Sequence, residues 1–174
     1  MKYIQLNKEN YEDFVKLNLE IQKVHIEKFP HIFKEITYKK AIETFKDTID
    51  HPKHKTFLAI SNENVVGYFT YEIIVKLETK YKYEQTFLYV HQFGIGDTYK
   101  KKGYGSSLLE KIKAVATENN LKEIQITCWT DNDIANKFYN KQNFKTFHEK
   151  KKIQVWKTLC NPNISEKRTP WCMK

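Results

Sequence analysis

The sequence predicts a single α/β domain in which a mixed central sheet of about seven strands is flanked by helices. The chain has 174 residues, the size of one ordinary domain. Segments with alternating apolar residues and segments with helical spacing follow one another in the order βααββββαβαββ. Because no repeat and no Gly- or Pro-rich linker divides the chain, we expect one domain over residues 1–160 and a loosely structured tail over residues 161–174.

Turn and breaker residues separate the periodic segments of the first half. Phe14, Leu17 and Ile21 recur at helical spacing, and the helix they predict ends before Pro30. A tight turn around Asn62-Glu63-Asn64 joins two runs rich in β-branched and aromatic residues. The predicted elements are a strand at 2–6, helices at about 9–28 and 38–49, and strands at about 55–61 and 64–76.

The second half alternates strands and helices around a basic loop. Gly94, near the end of a long apolar run, indicates a bulge or a close approach of another group to the backbone. In the tail, Trp171 is the one residue predicted to dock on the domain. The predicted elements are a strand at 84–95, a helix beginning near Tyr104, a strand at 124–128, a helix at 133–141, and strands at 143–147 and 151–158.

The charge of the chain is strongly positive but almost entirely due to lysine. The formal net charge is +9, and Arg168 is the only arginine. Proteins that read base edges use the planar, bidentate arginine side chain. The composition therefore disfavours sequence-specific nucleic-acid binding and favours solvated surface charge with a local anion site.

The cysteines and histidines show no metal-binding or disulfide pattern. Cys128, Cys160 and Cys172 are widely spaced and odd in number, as expected of cytosolic thiols. The start of the chain has no signal-peptide core, and no apolar run reaches the ~20 residues that span a bilayer. We therefore expect a cytoplasmic protein without a membrane or metal partner. The histidines judged to have no metal-like companions are His25, His31, His51 and His54.

A basic, glycine-containing loop between a strand and a helix is the most informative stretch. Gly103 and Gly105 allow a phosphate to approach the unpaired N–H groups of the helix start, where the partial charge is positive. A Walker loop would need Lys-Ser/Thr after its last glycine, and the dinucleotide fingerprint would need a glycine at Tyr99. Both are excluded. The loop reads Lys100-Lys101-Lys102-Gly103-Tyr104-Gly105-Ser106-Ser107.

This loop resembles the Gln/Arg-x-x-Gly-x-Gly/Ala motif of the GNAT superfamily of N-acetyltransferases. Lys100 departs from the usual Gln or Arg but keeps the positive charge. A second resemblance follows in the expected order, since residues 132–144 are similar to the GNAT signature Asn-x-x-Ala-x-x-Phe-Tyr-x-Lys-x-Gly-Phe. Asn143 replaces the usual glycine, and asparagine also tolerates a left-handed helix cap.

The resemblance implies direct transfer of acetyl from acetyl-CoA, a co-substrate, to an amine. It implies that the loop binds the pyrophosphate and that the pantetheine arm lies where the strand ending at Ile95 separates from the strand ending at Cys128. Backbone groups of Phe93 and Ile95 would polarise the acetyl carbonyl, and Asn132 would hold the pantetheine amide. The cofactor-binding residues so implied are Phe93, Ile95, Lys100, Lys101, Lys102, Gly103, Tyr104, Gly105, Ser106, Ser107, Asn132, Ala135 and Phe138.

The resemblance also implies two catalytic residues. Tyr139 occupies the family's position for the general acid that protonates the leaving thiolate. His91 is similar in strand position to the base of arylalkylamine-type members, and histidine changes charge near neutral pH. Glu72 and ordered water are the alternative bases. If alternation holds, His91 shares a face with Phe87, Tyr89 and Phe93.

Two other functions remain open at the level of sequence. A GNAT domain that binds acyl-CoA without turnover would keep the loop, and a lysine-based nucleic-acid binder would show steep salt dependence. For an active enzyme, the resemblance implies a primary amine of a small molecule or peptide as the acceptor, and the positive net charge disfavours polycationic acceptors. His31 is predicted at the rim of the acceptor pocket. GNAT domains often pair through their C-terminal strands, so the resemblance allows a homodimer.

Overall fold

The computed structural model describes residues 1–153 as one mixed sheet with helices on both faces. Two short 3₁₀ turns, at Lys46–Thr48 and Asp97–Tyr99, extend the second helix and precede the third. The strands and helices, in chain order, are β1 (Lys2–Gln5), α1 (Tyr11–Lys28), α2 (Tyr38–Phe45), β2 (Lys55–Ser61), β3 (Asn64–Lys76), β4 (Gln85–Ile95), α3 (Tyr104–Glu118), β5 (Ile124–Ile126) and α4 (Asp133–Lys141).

The five strands lie in the order β1-β2-β3-β4-β5. The first four pair antiparallel with their neighbours, and β5 pairs parallel with β4 after the crossover through α3. Two parallel strands need such a crossover, because after the first strand the chain must return to the end of the sheet at which that strand began. The sheet is therefore an antiparallel meander with one parallel edge.

Two apolar cores cover the two faces of the sheet. Phe14 and Val15 of α1 pack with Leu58 and Tyr68 on one face. On the other face, the apolar side of α3 packs on strands β2 to β4 around Phe69. All five of these residues are almost completely buried. The helices thus hold β3 and β4 rigidly in the centre of the domain.

Residues 1–153 contain five strands and not the predicted seven or so, and the prediction of four strands between the second and third helices was wrong. Three strands lie there, and residues 143–147 form no strand. The apolar residues after Phe144 do not pack on the rest of the described chain: Phe147 is 76% and Ile153 is 87% exposed. In the predicted strand at 151–158, residues 151–153 are irregular. Its other residues, the tail at 161–174 and the docking of Trp171 lie outside the described residues.

Local backbone predictions were confirmed at both turns. Asn62 and Glu63 have φ of 48° and 64°, as a two-residue hairpin turn requires. Asn143 has φ of 64° directly after the end of α4, the left-handed cap position. Gly94 is a point of close approach: a Cβ there would lie 2.3 Å from Cδ1 of Ile21, so α1 lies directly against the strand.

A buried hydrogen bond joins α1 to the middle of the sheet. The Nδ2 of Asn18 donates to the hydroxyl of Tyr68 at 2.7 Å, and both residues are buried. We expect Tyr68→Phe to lower the free energy of unfolding by about 1–3 kcal/mol, because it leaves the amide N–H buried and unpaired. Urea denaturation measures this loss. Tyr71→Phe is the matched control, since its hydroxyl makes no hydrogen bond within residues 1–153, and an equal loss in both variants would contradict the prediction.

Candidate active site between strands β4 and β5

Strands β4 and β5 separate part-way along the sheet. Their parallel pairing covers only Leu88 to Val90 of β4, opposite Ile124 to Ile126. Strand β4 continues to Ile95, and within the described chain residues 91–95 have no strand partner on this side. The expected splay between these two strands is therefore present, and it begins directly after Val90.

Backbone groups of β4 point into the resulting gap. The N–H of Gly96 donates to the carbonyl of Val66 at 3.0 Å, toward β3. Since backbone groups alternate in direction along an antiparallel strand, those of Phe93 and Ile95 point away from β3. These are the two residues whose backbone groups were predicted to meet the acetyl-pantetheine.

A β-bulge reorients β4 at the start of the gap. The register of β3 with β4 shifts between Thr70, opposite Gln92, and Tyr71, opposite Val90, so His91 is the extra residue. Bulges of this kind often re-aim side chains beside active sites. Glu72 is paired with Tyr89, which places Tyr89 on the face of Glu72.

The bulge separates the faces of His91 and Phe93, which were expected to coincide. Phe93 lies opposite Phe69, three residues from Glu72, and therefore faces the α3 side of the sheet. His91 contacts Glu72 and Tyr89 on the other face, with ring centroids of His91 and Tyr89 4.8 Å apart. The alternation holds from Phe87 to His91 and fails beyond it.

His91 belongs to a cluster of titratable side chains. Its Nε2 lies 3.1 Å from Oε2 of Glu72, and the Nε2 of His54 lies 3.6 Å from the same oxygen. The His54 ring also stacks on His51, with centroids 3.7 Å apart. Burial, followed by the charges of His91 and His51, lowers the pKa of His54. His54, for which the sequence indicated no metal-like companion, thus lies beside Glu72 and His91, whereas His51 only stacks on it.

The basic loop leads directly into α3 with free N–H groups. Gly103 has φ of 85° and Lys101 has φ of 60°, so the chain turns through the left-handed region twice. The N–H of Ser107 donates to the carbonyl of Gly103 at 3.1 Å, which closes the first turn of the helix. The N–H groups of residues 103–106 have no acceptor within residues 1–153. They are the unpaired donors that every helix N-terminus presents.

Gly103 leaves the mouth of this loop open. A Cβ built on Gly103 would meet nothing within 4 Å. Gly105 serves a different purpose, because a Cβ there would lie 3.3 Å from Cε2 of Phe138. Gly103 therefore keeps space above the helix end, whereas Gly105 allows α4 to approach α3.

The polar side chains of the loop divide into tethered and free ones. Lys100 is paired with Asp97. The hydroxyl of Tyr104 is 3.1 Å from that of Ser61, and Ser106 accepts a hydrogen bond from Gln142 at 3.2 Å. The hydroxyl of Ser107 is exposed at the helix start, and its carbonyl accepts from Tyr3 at 2.7 Å. Lys101 and Lys102 are exposed and form no salt bridge within the described residues.

Helix α4 presents the second motif next to the gap. Asn132 is its N-cap and accepts from the N–H of Ala135 at 3.3 Å through Oδ1. The ring of Phe138 stacks on that of Phe93 with centroids 5.6 Å apart. Asn132 thus has a structural role as a cap, and only its Nδ2 remains free for a ligand.

Tyr139 lies beside the gap in an aromatic environment. Its ring is 6.1 Å from that of Phe93 and 5.4 Å from that of Phe144. Burial, and to a lesser extent the nearby Cys128 thiol, raises the pKa of Tyr139 above its ordinary value. A raised pKa keeps the phenol protonated at neutral pH, the state that a proton donor requires.

An aromatic cluster near the gap was not found from the sequence. The ring of Trp129, three residues after β5, lies 4.7 Å from Phe29 and 5.8 Å from Phe33, and is 39% exposed. The Nζ of Lys28 donates to the carbonyl of Asp131 at 2.8 Å and links the end of α1 to the same loop. His31, predicted at the rim, is exposed in this segment. In the sequence, the aromatic cluster is indicated only by the segment Phe29-Pro30-His31-Ile32-Phe33.

No helix within residues 1–153 is both long enough and apolar enough to cross a bilayer. This finding covers the four helices described above.

Comparison with known proteins identifies a matching family and solved structures of similar fold. The profile of the acetyltransferase (GNAT) family matches residues 18–144. The tetramutant of the BH1408 protein from Bacillus halodurans has a TM-score of 0.80 at 13% identity, with 89% of this chain and 100% of that chain covered. The aminoglycoside 6'-N-acetyltransferase AAC(6')-IG from Acinetobacter haemolyticus has a TM-score of 0.63 at 12% identity, covering 88% and 100% of the two chains.

A third structure similar to this chain contains a cofactor analogue. It is AAC(6')-Iy in complex with a bisubstrate analogue, CoA-S-monomethyl-acetylneamine, with a TM-score of 0.62 at 12% identity. The match covers 91% of this chain and 98% of that chain. A search of curated proteins found no match.

Proposed function

The chain belongs to the GNAT family of acetyltransferases, and on that premise we propose that it transfers acetyl from acetyl-CoA directly to a primary amine of a small molecule or peptide. The observation that carries the proposal is the gap between β4 and β5, into which the backbone groups of Phe93 and Ile95 point. A reacting thioester needs fixed donors at its carbonyl oxygen, and this gap provides them next to an anion-binding helix end.

The residues of the loop fit a pyrophosphate. The open space above Gly103, the unpaired N–H groups of residues 103–106 and the exposed Lys101 and Lys102 all favour an anion at the start of α3. Ser107 adds an exposed hydroxyl. Lys100 contributes less, because Asp97 already neutralises it. The Nδ2 of Asn132 is available for an amide carbonyl of the pantetheine arm.

Two groups of the chain are assigned the proton transfers. The phenol of Tyr139, protonated because its pKa is raised, donates to the departing thiolate. His91 lies on β4 where the gap begins. Its Nε2–H donates to Glu72, so its Nδ1 accepts the proton of the attacking amine, directly or through a water. Glu72 was an alternative base, but its carboxylate lies 3.1 Å from Nε2 of His91 and accepts its hydrogen bond. The two residues therefore act as a pair, in which Glu72 orients the ring and stabilises the imidazolium.

Preorganised donors supply a large part of the expected rate enhancement. In known oxyanion sites one donor is worth about 3–4 kcal/mol. We assign this role to the N–H of Phe93 or Ile95, which needs no reorganisation because β3 pairs with the other edge of the strand. The aromatic cluster of Phe29, Phe33 and Trp129 favours acceptors that carry an apolar body beside the amine.

Thiol release from acetyl-CoA, measured with and without an amine, tests the proposed transfer. The panel should contain an arylalkylamine, a polyamine, an aminoglycoside and a peptide with a free N-terminus, because these differ in charge and apolar content. We expect amine-dependent release of thiol and one acetylated product per thiol, seen by mass spectrometry. Acetyl-CoA binding without release by any of these amines would contradict the transfer and leave a domain that only binds the cofactor.

Replacement of the base should lower turnover without loss of the cofactor. We expect His91→Ala to reduce kcat at least about tenfold, because a positioned general base is worth roughly 10²–10⁴-fold and water replaces part of it. Steady-state kinetics with the best amine of the panel measures the effect. His148→Ala is the control, as this histidine is exposed and lies after α4. A loss of less than about threefold in His91→Ala would end the assignment.

A further inference from the structure

The histidine and glutamate cluster on the face of the sheet opposite α3 has the composition of a metal site. His54 precedes β2, Glu72 lies in β3, and His91 occupies the bulge of β4. One ligand atom from each of these three residues lies within 4.8 Å of the other two. Two imidazoles and one carboxylate are the ligand set of many catalytic zinc sites, which keep a fourth position for water.

The two separations that involve Glu72 are close to those of a tetrahedral zinc site. Two ligand atoms at the usual Zn–N and Zn–O distances of about 2.0–2.1 Å lie about 3.3 Å apart in a tetrahedron. The Oε2 of Glu72 lies 3.1 Å from Nε2 of His91 and 3.6 Å from Nε2 of His54. The ligand atoms of His54 and His91 lie within 4.8 Å of each other, and an ion bound by all three ligands requires the two rings to be about 3.3 Å apart at their nitrogens.

Neighbouring residues orient the ligands. The Nδ1 of His51 accepts hydrogen bonds from the backbone N–H groups of Lys53 and His54, at 3.3 Å and 3.0 Å. The stacked rings of His51 and His54 then hold the second imidazole against the sheet. Tyr89 contacts the other imidazole edge-on.

The cluster is accessible from solvent yet not fully exposed. The side chains of His54 and His91 are 29% and 30% exposed, and that of Glu72 is 18% exposed. Lys53 and Lys55 line a depression beside Glu72. Their charge disfavours a cation, so binding here depends on direct ligation rather than on a general negative potential.

We propose that His54, Glu72 and His91 form a binding site for one zinc-class divalent ion, with water in the remaining position. The binding does not depend on the proposed acetyl transfer, because it uses only the geometry of the three ligands. Imidazole nitrogens favour Zn²⁺ over Mg²⁺ and Ca²⁺, which take oxygen ligands.

Titration of Zn²⁺ against a chromogenic chelator tests the site. The full chain is used without a polyhistidine tag and after removal of metal. We expect one Zn²⁺ per chain, and we expect His54→Ala and Glu72→Gln each to weaken the affinity at least about tenfold. A melting scan without metal verifies that each variant is folded, and His54→Gln replaces His54→Ala if the smaller side chain unfolds the protein.

Two controls separate this site from other zinc ligands of the chain. His148→Ala and a triple variant with Cys128→Ser, Cys160→Ser and Cys172→Ser should bind Zn²⁺ as the wild type does. With Co²⁺, we expect visible d–d bands without the near-ultraviolet charge-transfer band of a cobalt thiolate. Binding that survives in both His54→Ala and Glu72→Gln, or that disappears in the triple cysteine variant, would overturn the proposal. Absence of stoichiometric binding to the wild type would do the same.

The metal and the base role of His91 exclude each other, because a neutral imidazole has a single lone pair and an ion bound at Nε2 leaves Nδ1 protonated. This consequence rests on the proposed function. We expect Zn²⁺ to inhibit the wild type at concentrations that leave His54→Ala active, as read from initial rates. Equal inhibition of both proteins would contradict the consequence, whereas the binding titration decides the site by itself.

Discussion

Gly103→Glu is expected to abolish the stabilisation of the chain by acetyl-CoA. At a hundred times its Kd, a ligand of the native state adds about 2.7 kcal/mol, which in a domain of this size raises the melting temperature by roughly 5–10 °C. Gly103 has φ of 85° and open space above it, so a glutamate there adds strain and a negative charge at the anion site. Thermal unfolding with and without acetyl-CoA measures both proteins.

The matched control for this variant is Gly103→Asn. Asparagine tolerates the left-handed region and carries no charge, so we expect it to retain more of the thermal rise. Comparison of the ligand-free melting temperatures separates a loss of fold from a loss of binding. A wild type that shows no rise with acetyl-CoA, or a Gly103→Glu variant that rises as much as the wild type, would refute the pyrophosphate site.

Tyr139→Phe is expected to lower kcat by roughly 10²-fold or more, the usual worth of a positioned general acid. The ring packing with Phe93 and Phe144 does not use the hydroxyl, so folding and cofactor binding should be preserved. Single-turnover thiol release measures the chemical step, and the thermal rise with acetyl-CoA measures binding.

The pH dependence adds a second criterion. Burial raises the pKa of Tyr139, so the phenol stays protonated through the range where an exposed tyrosine ionises, near pH 10. The activity of the wild type should therefore show no loss from Tyr139 ionisation at or below that pH. Tyr104→Phe, which loses only the contact with Ser61, is the control. Equal kcat in Tyr139→Phe and the wild type would remove Tyr139 from the mechanism.

Much of the fold was predictable because its signals are local. Helical spacing in α1 and α3, and the turn at Asn62 and Glu63, are set by residues close together in sequence. The loop before α3 and the cap at Asn143 belong to the same class, since each depends on backbone preferences of single residues. The strand at 143–147 was mispredicted because a short alternating run forms a strand only where a partner strand covers it.

The sequence by itself determined the family motifs, the approximate positions of the elements up to α4 and the identity of the residues at the loop. The tertiary structure decided which of them meet. His54, Glu72 and His91 are separated by 18 and 19 residues, and they converge only because β2, β3 and β4 pair in one register with a bulge at His91. The gap beside Phe93 likewise depends on how far β5 pairs with β4. Register and strand separation result from packing between distant segments, which periodicity along the chain does not encode.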